Sequence, residues 1–390
     1  MVPRDDHAGA AATPHLLHVF PTFDVGGVQL RMSGILGALG RRYRHAVVAL
    51  DGRTGCRARL DGGLDVAFPA ADVAAGDPLS RLRRIRGFLA GAGADLLLTY
   101  NWGATEWALA NALGGFAPHI HFESGFGPEE ADGLLWRRSL FRRIALRRVR
   151  RLVVPSHGLA RLATRAWGVP AAKVVHIPNG VDCDRFAAPP EPALVPALAG
   201  RTGPVVGTVA PLRREKNIAR LIEAFAALPP PATLVVVGDG PERAALEGAA
   251  AARGVGGRTV FAGYLDRPEA ALGLFDVYAL SSDTEQMPNT IIQAMAAGLP
   301  VASVDVGDVA AMVAPGNRRF VTARGDAAAL AGSLAALAAD AGLRRALGAA
   351  NQAHVRAHYA HDRMVAAYAA LFDDVLAGRA PAALAREAAA

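Results

Sequence analysis

The chain has 390 residues, 52% of them hydrophobic, which is enough for two compact domains rather than one. Two cysteines, Cys56 and Cys183, do not make a disulfide framework and are typical of a reducing compartment. No apolar run approaches the ~20 residues of a membrane span, and the polar start is unlike a secretory signal. We therefore expect a cytoplasmic protein. Its formal net charge of +7 favours anionic partners such as phosphates, nucleotides or a membrane surface.

A glycine pair follows the first predicted strand. Residues 1–13 are predicted to be a disordered lead-in, and His15–Phe20 is the predicted strand. Gly26 and Gly27 come next, before a helix with helical apolar spacing. Such an order is typical of the opening of a nucleotide-binding α/β unit, although the G-x-G-x-x-G fingerprint is missing. The glycines allow a ligand to approach the backbone; a flexible turn is the alternative.

A polar cluster ends a later predicted strand. The strand and helix alternation continues to residues 119–122, where His121 and Glu123 stand at or just beyond the end of the strand. Ligands of α/β proteins bind at the carboxyl ends of parallel strands, so both residues are candidate site residues. For His121, a structural hydrogen bond is the alternative.

An arginine-rich stretch follows. Residues 136–152 are predicted to form one basic amphipathic helix, with Leu140, Phe141, Ile144 and Leu152 as its apolar face. Such a helix can lie on an anionic bilayer at about 1 kcal/mol per basic residue near the surface. Residues 137–151 are therefore a candidate membrane contact; an exposed helix with arginine stems covering apolar surface is the alternative. No nucleic-acid motif accompanies the charge, so we expect no nucleic-acid partner.

The chain divides at a Pro- and Ala-rich stretch. We assign the first domain to residues 14–186, a linker to 187–202, and the second domain to 203–355. A last helix is expected at 356–377 and a tail at 378–390.

The second domain opens with a strand followed by a basic loop. Arg213, Arg214 and Lys216 lie in this loop, directly before a helix. Lys216 is one of only two lysines in a chain dominated by arginine, which favours a role as a compact charge for phosphate. A surface lysine at a helix start is the alternative.

The most informative stretch is SSDTEQMPNTIIQAMAAGLPV, residues 281–301. Pro288 and Asn289 stand where a helix should begin, and Gly298 where it should end. The start of a helix exposes unpaired N–H groups and attracts anions. Glu285 stands just before it, and a carboxylate beside an anion site suits a ligand with both phosphate and hydroxyl groups, such as a nucleotide sugar. An ordinary turn of a parallel sheet is the alternative.

This stretch resembles the Glu-x7-Glu region of retaining glycosyltransferases of family 4, which have the GT-B fold. Glu285 matches the first Glu of that region, and Pro288, Asn289 and Gly298 also match. Further similar segments are I-P-N-G-V-D near residue 180 and V-G-x-G-P near Gly238, so the resemblance covers roughly residues 15–375. It implies an α/β protein with two Rossmann-like domains facing a cleft, and a final helix that crosses back to the first domain.

The resemblance also implies roles for particular residues. Transfer of a glycosyl group with retention of configuration is expected, from a UDP- or GDP-sugar, without a metal ion or other cofactor. The implied catalytic residues are Glu285, His121 and Glu123. The implied donor-binding residues are Gly26, Gly27, Arg213, Arg214, Lys216, Gly238, Gly263, Tyr264, Leu265, Met287, Pro288, Asn289, Thr290 and Gln293.

Two positions depart from the family pattern. Pro211 stands where the family has an arginine, and Gln293 replaces the second Glu. Gln293 can accept a hydrogen bond from the ribose without charge assistance, so we expect a looser donor site.

Three alternatives to a transferase remain at this point. They are a sugar-nucleotide epimerase, a catalytically degenerate binding or scaffold protein, and a basic membrane-binding protein. For a transferase, the basic stretch suits a glycan or lipid-linked acceptor in cell-surface polysaccharide or glycolipid synthesis, at the inner face of the membrane.

Overall fold

The computed structural model describes residues 13–379, except 74–75, 127–129, 131–132 and 134. The predictions of a disordered lead-in and of a tail fall almost entirely outside the described residues.

The first sheet has seven parallel strands in the order β3-β2-β1-β4-β5-β6-β7. Its central strands are almost entirely buried because helices cover both faces, although they carry polar side chains such as His18 and Thr99. The strands are β1 (His15–Phe20), β2 (Arg44–Ala49), β3 (Val66–Ala67), β4 (Leu96–Tyr100), β5 (His119–Phe122), β6 (Arg151–Val154) and β7 (Val174–His176). The helices are α1 (Gly27–Leu39), α2 (Pro78–Gly91), α3 (Thr105–Gly114), α4 (Trp136–Ala145), α5 (His157–Arg165) and α6 (Cys183–Phe186).

The second sheet has six parallel strands in the order β10-β9-β8-β11-β12-β13. The strands are β8 (Val205–Val209), β9 (Thr233–Val237), β10 (Thr259–Gly263), β11 (Val277–Leu280), β12 (Val301–Val304) and β13 (Val321–Thr322). Its helices are α7 (Ile218–Ala226), α8 (Arg243–Ala252), α9 (Glu269–Leu272), α10 (Asn289–Ala296), α11 (Val309–Met312), α12 (Ala327–Ala339) and α13 (Ala341–His358), and a last helix, α14 (His361–Leu376), follows them in the chain. The predicted α/β class with two Rossmann-like sheets is confirmed.

The strand order fixes where ligands can bind. In both sheets the order reverses direction, between β1 and β4 in the first and between β8 and β11 in the second. The loops after the two strands at such a point diverge and leave a crevice at the carboxyl edge of the sheet. The glycine pair follows β1, whereas the Lys216 and Glu285 loops follow β8 and β11.

The last helix packs on the first domain. Tyr368 stacks on Phe122 with ring centroids 5.6 Å apart, and the Tyr43 hydroxyl donates to Asp373 at 2.6 Å. This helix begins at His361, and residues 356–358 belong to α13 instead. The single helix expected at 356–377 is thus wrong at its start, because the chain breaks at Tyr359 and Ala360 to pair with Val181.

The predicted basic helix at 136–152 is also wrong in length. Helix α4 ends at Ala145, a tight turn follows, and Arg151 already belongs to β6. Arg151 and Leu152 pair with β5, so their backbone N–H and C=O groups are hydrogen-bonded within the sheet. A helix that continued through these residues would remove those groups from the sheet. Residues 137–151 therefore do not form one basic face.

The predicted linker is partly ordered against the second domain. Short 3-10 turns occupy Pro192–Leu194 and Pro196–Leu198, and Val195 is buried in that domain's core. No single helix among the described residues has the length and apolar character to cross a bilayer. Helices α12 and α13, which meet at a sharp bend, together have the length and composition of a membrane span. The leucines of α12 are, however, buried in the core of the second domain.

Candidate active site

A small cavity of about 90 Å³ lies at the point where the second sheet reverses its strand order. Its walls come from the ends of β8 and β11, from the loops after them, and from the start of α10. The predicted site residues that line it are Lys216, Glu285, Pro288, Asn289 and Thr290. Pro211, at the position of the missing arginine, lines it too.

An ion pair occupies the cavity. The Lys216 ammonium donates to Glu285 Oε1 at 2.6 Å, and the Ser282 hydroxyl donates to the same oxygen at 2.8 Å. Both charged side chains are largely buried, with 20% and 13% of their area exposed. Partial burial strengthens their attraction relative to a surface pair, so each holds the other in place.

The two loops are tied together by a second ion pair behind the first. Arg220 donates to Asp283 at 2.6 Å and to the Ser281 carbonyl at 2.8 Å. Asn217, in left-handed conformation with φ 43°, caps α7 and donates to the same carboxylate. Lys216 is therefore held from both sides.

Close backbone packing explains two glycines near the cavity. A Cβ on Gly238, at φ 133°, would meet the Ala210 carbonyl at 1.9 Å, so the loop after β9 lies directly against the end of β8. A Cβ on Gly307 would lie 2.7 Å from the Glu285 carbonyl oxygen. The Glu285 loop is thus supported from beneath by the loop after β12.

The start of α10 faces the cavity with free N–H groups. No side chain of a described residue caps this helix, so Asn289 and Thr290 leave their backbone donors available to an anion. Below them the buried Tyr278 hydroxyl interacts with Thr290, and burial raises the pKa of Tyr278 to about 12. Tyr278 therefore remains a neutral donor.

The first domain reaches the same helix start. Asn179 donates from its amide to Asn289 Oδ1 at 2.7 Å and from its backbone to Met287 Sδ at 3.1 Å. A Cβ on Gly27 would lie 3.7 Å from Asn289 Nδ2. The glycine pair and the Glu285 loop consequently lie on opposite walls of one cleft. Met287 is buried between them.

The remaining donor-binding candidates lie around this centre. Arg213 and Arg214 are exposed beside Lys216, and their side chains, unlike their backbone groups, make no hydrogen bond to a described residue. Gln293, half-buried on α10, is outside the cavity. Gly263 pairs its carbonyl with the Gly238 N–H at 2.8 Å, which places Tyr264 and Leu265 beyond the edge of the sheet, where Tyr264 is 68% exposed.

His121 and Glu123 lie elsewhere. Both side chains are fully buried: His121 Nδ1 is 2.7 Å from Thr99 Oγ1, and Glu123 accepts from Arg142 at 3.2 Å. Arg142 also binds Glu130 and is surrounded by aromatic rings. Neither residue lines the cavity beside Lys216 and Glu285, and Arg142 of α4 binds Glu123 instead, so their catalytic role stays a prediction.

Sequence reasoning missed two polar residues of the cleft. Arg31, one turn into α1, donates to Asn179 Oδ1 and, at 2.9 Å, to the Ser124 hydroxyl. Asn179 enters the sequence analysis only as the asparagine of the I-P-N-G-V-D segment. Its position at the end of the first domain could have indicated this role, because a buried amide there can reach the second domain.

Comparison with known proteins identifies both halves. Residues 26–180 match the glycosyl transferase 4-like domain, and residues 197–354 match glycosyl transferases group 1. The chain is 34% identical over 200 residues to 2-deoxystreptamine glucosyltransferase of Streptomyces kanamyceticus, covering 48% of this chain and 51% of that protein. It is 35% identical over 144 residues to the lipopolysaccharide core biosynthesis glycosyltransferase LpsE of Rhizobium meliloti, covering 37% and 42%.

The chain thus spans about half the length of the curated relatives it matches. Among solved structures, HepE of Anabaena in complex with UDP superposes with a TM-score of 0.80 at 20% identity, covering 92% of this chain and 100% of that one. The chain therefore joins a glycosyl transferase 4-like domain to a glycosyl transferases group 1 domain and is a homologue of the GT-B glycosyltransferases.

Proposed function

We propose that this protein is a retaining glycosyltransferase of family 4 that moves a sugar from a UDP- or GDP-sugar to a glycan or lipid-linked acceptor. The Lys216–Glu285 pair beside the open start of α10 is the observation that carries the proposal. One ligand with phosphates and sugar hydroxyls satisfies both members of the pair. The UDP and UDP-glucose complexes of HepE, a protein of the same fold, support this ligand class.

The cations of the cleft would stabilise the leaving group. The diphosphate gains negative charge as the glycosidic bond breaks, and Lys216 with the N–H groups of Asn289 and Thr290, which line the same cavity, would stabilise that charge. Arg213 or Arg214 would supply the charge that Pro211 lacks, from an exposed position beside Lys216. Protein groups would then provide the neutralisation for which other transferases use a metal ion.

Glu285 would hold the sugar rather than attack it. Among the described residues lining the cavity it is the only carboxylate, and Lys216 and Ser282 both bind its Oε1. An oxygen engaged by an ammonium and a hydroxyl is a poor nucleophile, but the second oxygen can accept hydrogen bonds from sugar hydroxyls. A carboxylate in this position also favours the positive charge that develops on the sugar ring.

The first domain would hold the acceptor near a membrane surface. Trp136, Leu140 and Ile144, spaced four residues apart on α4, are 69%, 49% and 54% exposed. Arg137 and Arg143 on the same helix are exposed too, whereas Arg142 and Arg151 are buried and cannot reach a bilayer. The exposed stripe with flanking arginines is the arrangement of an interfacial helix. Sedimentation with anionic vesicles tests this contact, and Leu140→Glu should abolish it.

A transfer assay tests the proposed reaction. The protein is incubated with UDP- and GDP-sugars and candidate acceptors, and the anomeric configuration of donor and product is compared by NMR. Retained configuration supports the proposal, and inverted configuration refutes it. Donor binding without turnover would instead favour the degenerate scaffold, for which Pro211 in the cavity wall is the specific observation.

A further inference from the structure

Three side chains with metal-ligating atoms meet between the two domains, away from the Lys216–Glu285 cavity. His157 begins α5 and His176 ends β7, both in the first domain, while Asp308 precedes α11 in the second. One ligand atom from each lies within 4.8 Å of the other two. We propose that His157, His176 and Asp308 form a site for a divalent transition-metal ion such as Zn²⁺ and that this ion links the two domains.

The two histidines are arranged as metal ligands usually are. His176 Nε2 lies 3.0 Å from the Pro155 carbonyl, which places the ring proton on Nε2 and leaves the Nδ1 lone pair free. A hydrogen bond from the second ring nitrogen to a carbonyl is the usual outer support of a ligating histidine. The centroids of the two imidazole rings lie 4.1 Å apart.

Asp308 completes the set from the opposite domain. Its carboxylate accepts from the backbone N–H of His157 at 2.6 Å and of Gly158 at 3.3 Å, so it is already held beside the histidines. A carboxylate has further lone pairs after two such bonds. Tetrahedral ligands at about 2.1 Å from zinc lie roughly 3.4 Å from one another, so side-chain rotations of about 1 Å close the site. Water would take the fourth position.

The site adjoins the loop of the candidate active site without belonging to it. The Asp308 N–H donates to the Gln286 carbonyl at 3.0 Å, and Gln286 follows Glu285 directly. An ion on Asp308 would therefore fix the start of α5 against the Glu285 loop and hold the domains in one orientation. Metal binding itself does not rest on the proposed transferase function.

No sequence motif indicates this cluster. The ligands are scattered over residues 157–308, and no two have the close spacing that marks metal motifs. The expectation of transfer without a metal ion rests on the family resemblance, whereas this set of ligands is created by the approach of the two domains.

Calorimetry with Zn²⁺ and visible absorption with Co²⁺, both on the chelator-treated full chain, test the site. We expect one bound ion per chain and the intense d–d bands of tetrahedral cobalt. Since loss of an outer-shell partner alone typically costs 10–100-fold in affinity, His176→Gln and Asp308→Asn should each weaken binding at least about 100-fold. His157→Gln, at an exposed position, should do the same while leaving the metal-free protein as stable as before.

A second histidine pair supplies the control. His354 and His358 on α13 have ring centroids 4.4 Å apart and could bind metal at the surface. The double variant His354→Gln/His358→Gln should keep full affinity. Loss of binding in this control, or unchanged binding in His157→Gln, would overturn the proposal.

Discussion

The Lys216 ammonium lies 2.6 Å from Glu285 Oε1, although the two residues are far apart in the sequence. Each ends up in the cleft because β8 and β11 are neighbours where the sheet reverses its order. In the proposed donor complex Lys216 turns to phosphate and Glu285 to sugar.

Replacing Lys216 should damage donor binding and turnover together. In Lys216→Ala the diphosphate loses its compact cation, and we expect kcat/KM to fall by about 100-fold, as on removal of one preorganised donor to a developing anion. The matched control is Lys173→Ala, which removes the only other lysine, at the far end of the first sheet. Equal losses in both variants would show that the effect is one of net charge.

Restoring the family glutamate should tighten the donor site. Gln293→Glu adds a charge-assisted hydrogen bond to the ribose, and such bonds are about twice as strong as neutral ones. We expect donor Kd to fall by about tenfold, in line with 1.5–3 kcal/mol for bonds to charged groups against about 1 for neutral ones. Calorimetric titration measures it. An unchanged or higher Kd would show that Gln293 does not contact the ribose of the donor.

Gly27→Ala should separate binding from folding. Gly27 is the first residue of α1, and its added Cβ would only touch Asn289 at 3.7 Å, so the free protein should be as stable or up to about 1 kcal/mol more stable. Donor phosphates that bind against the Gly27 backbone would collide with the added methyl group, so the Kd of the donor should rise. Gly238→Ala is the contrast, because its Cβ would overlap the Ala210 carbonyl and should unfold the domain. Unchanged donor affinity in Gly27→Ala would place the phosphates elsewhere.

The buried Arg142 cluster should matter for stability and little for the donor. Arg142→Met removes the arginine that the buried Glu123 and Glu130 share, although Glu130 keeps Arg138 at 3.5 Å, and breaking a buried pair typically costs 3–5 kcal/mol. Glu123→Gln keeps the Arg142–Glu130 pair and should leave donor Kd within about twofold, since Glu123 lies outside the cavity. Denaturant unfolding and donor titration of both variants measure this. A large rise in Kd for Glu123→Gln would return that residue to the active site.

Acid should destabilise the first domain through His45. Burial lowers the pKa of this histidine to about 4, from 6.5 in the unfolded chain. Between these values the unfolded chain binds a proton that the folded domain does not, so the free energy of unfolding falls as pH drops from 6.5 towards 4. A shift of this size corresponds to roughly 3 kcal/mol. His45→Gln should flatten the pH dependence, measured by urea unfolding at pH 7 and pH 5; the same slope in both proteins would contradict the assignment.

The sequence predicted well what depends on local pattern. Gly27, Lys216, Glu285 and Asn289 were located because a parallel strand must be followed by a turn and a helix start. His121 was placed correctly at the end of a strand, yet the pattern cannot show which helix covers each face. Helix α4 brings Arg142 there, and its length was overestimated because pairing of Arg151 with β5 ends it. The contacts of Asn179 and Asp308 depend on how the two domains pack against each other, and the residue pattern within one segment does not encode that packing.

Thermal unfolding with a panel of UDP-, GDP- and ADP-sugars tests the central claim most directly. A donor at 100 times its Kd should stabilise the folded protein by about 2.7 kcal/mol. We expect one nucleotide to give this stabilisation, and expect Lys216→Ala and Glu285→Ala to lose it while Lys173→Ala keeps it. No stabilisation by any nucleotide sugar, or equal stabilisation in all three variants, would contradict a donor site at the Lys216–Glu285 pair.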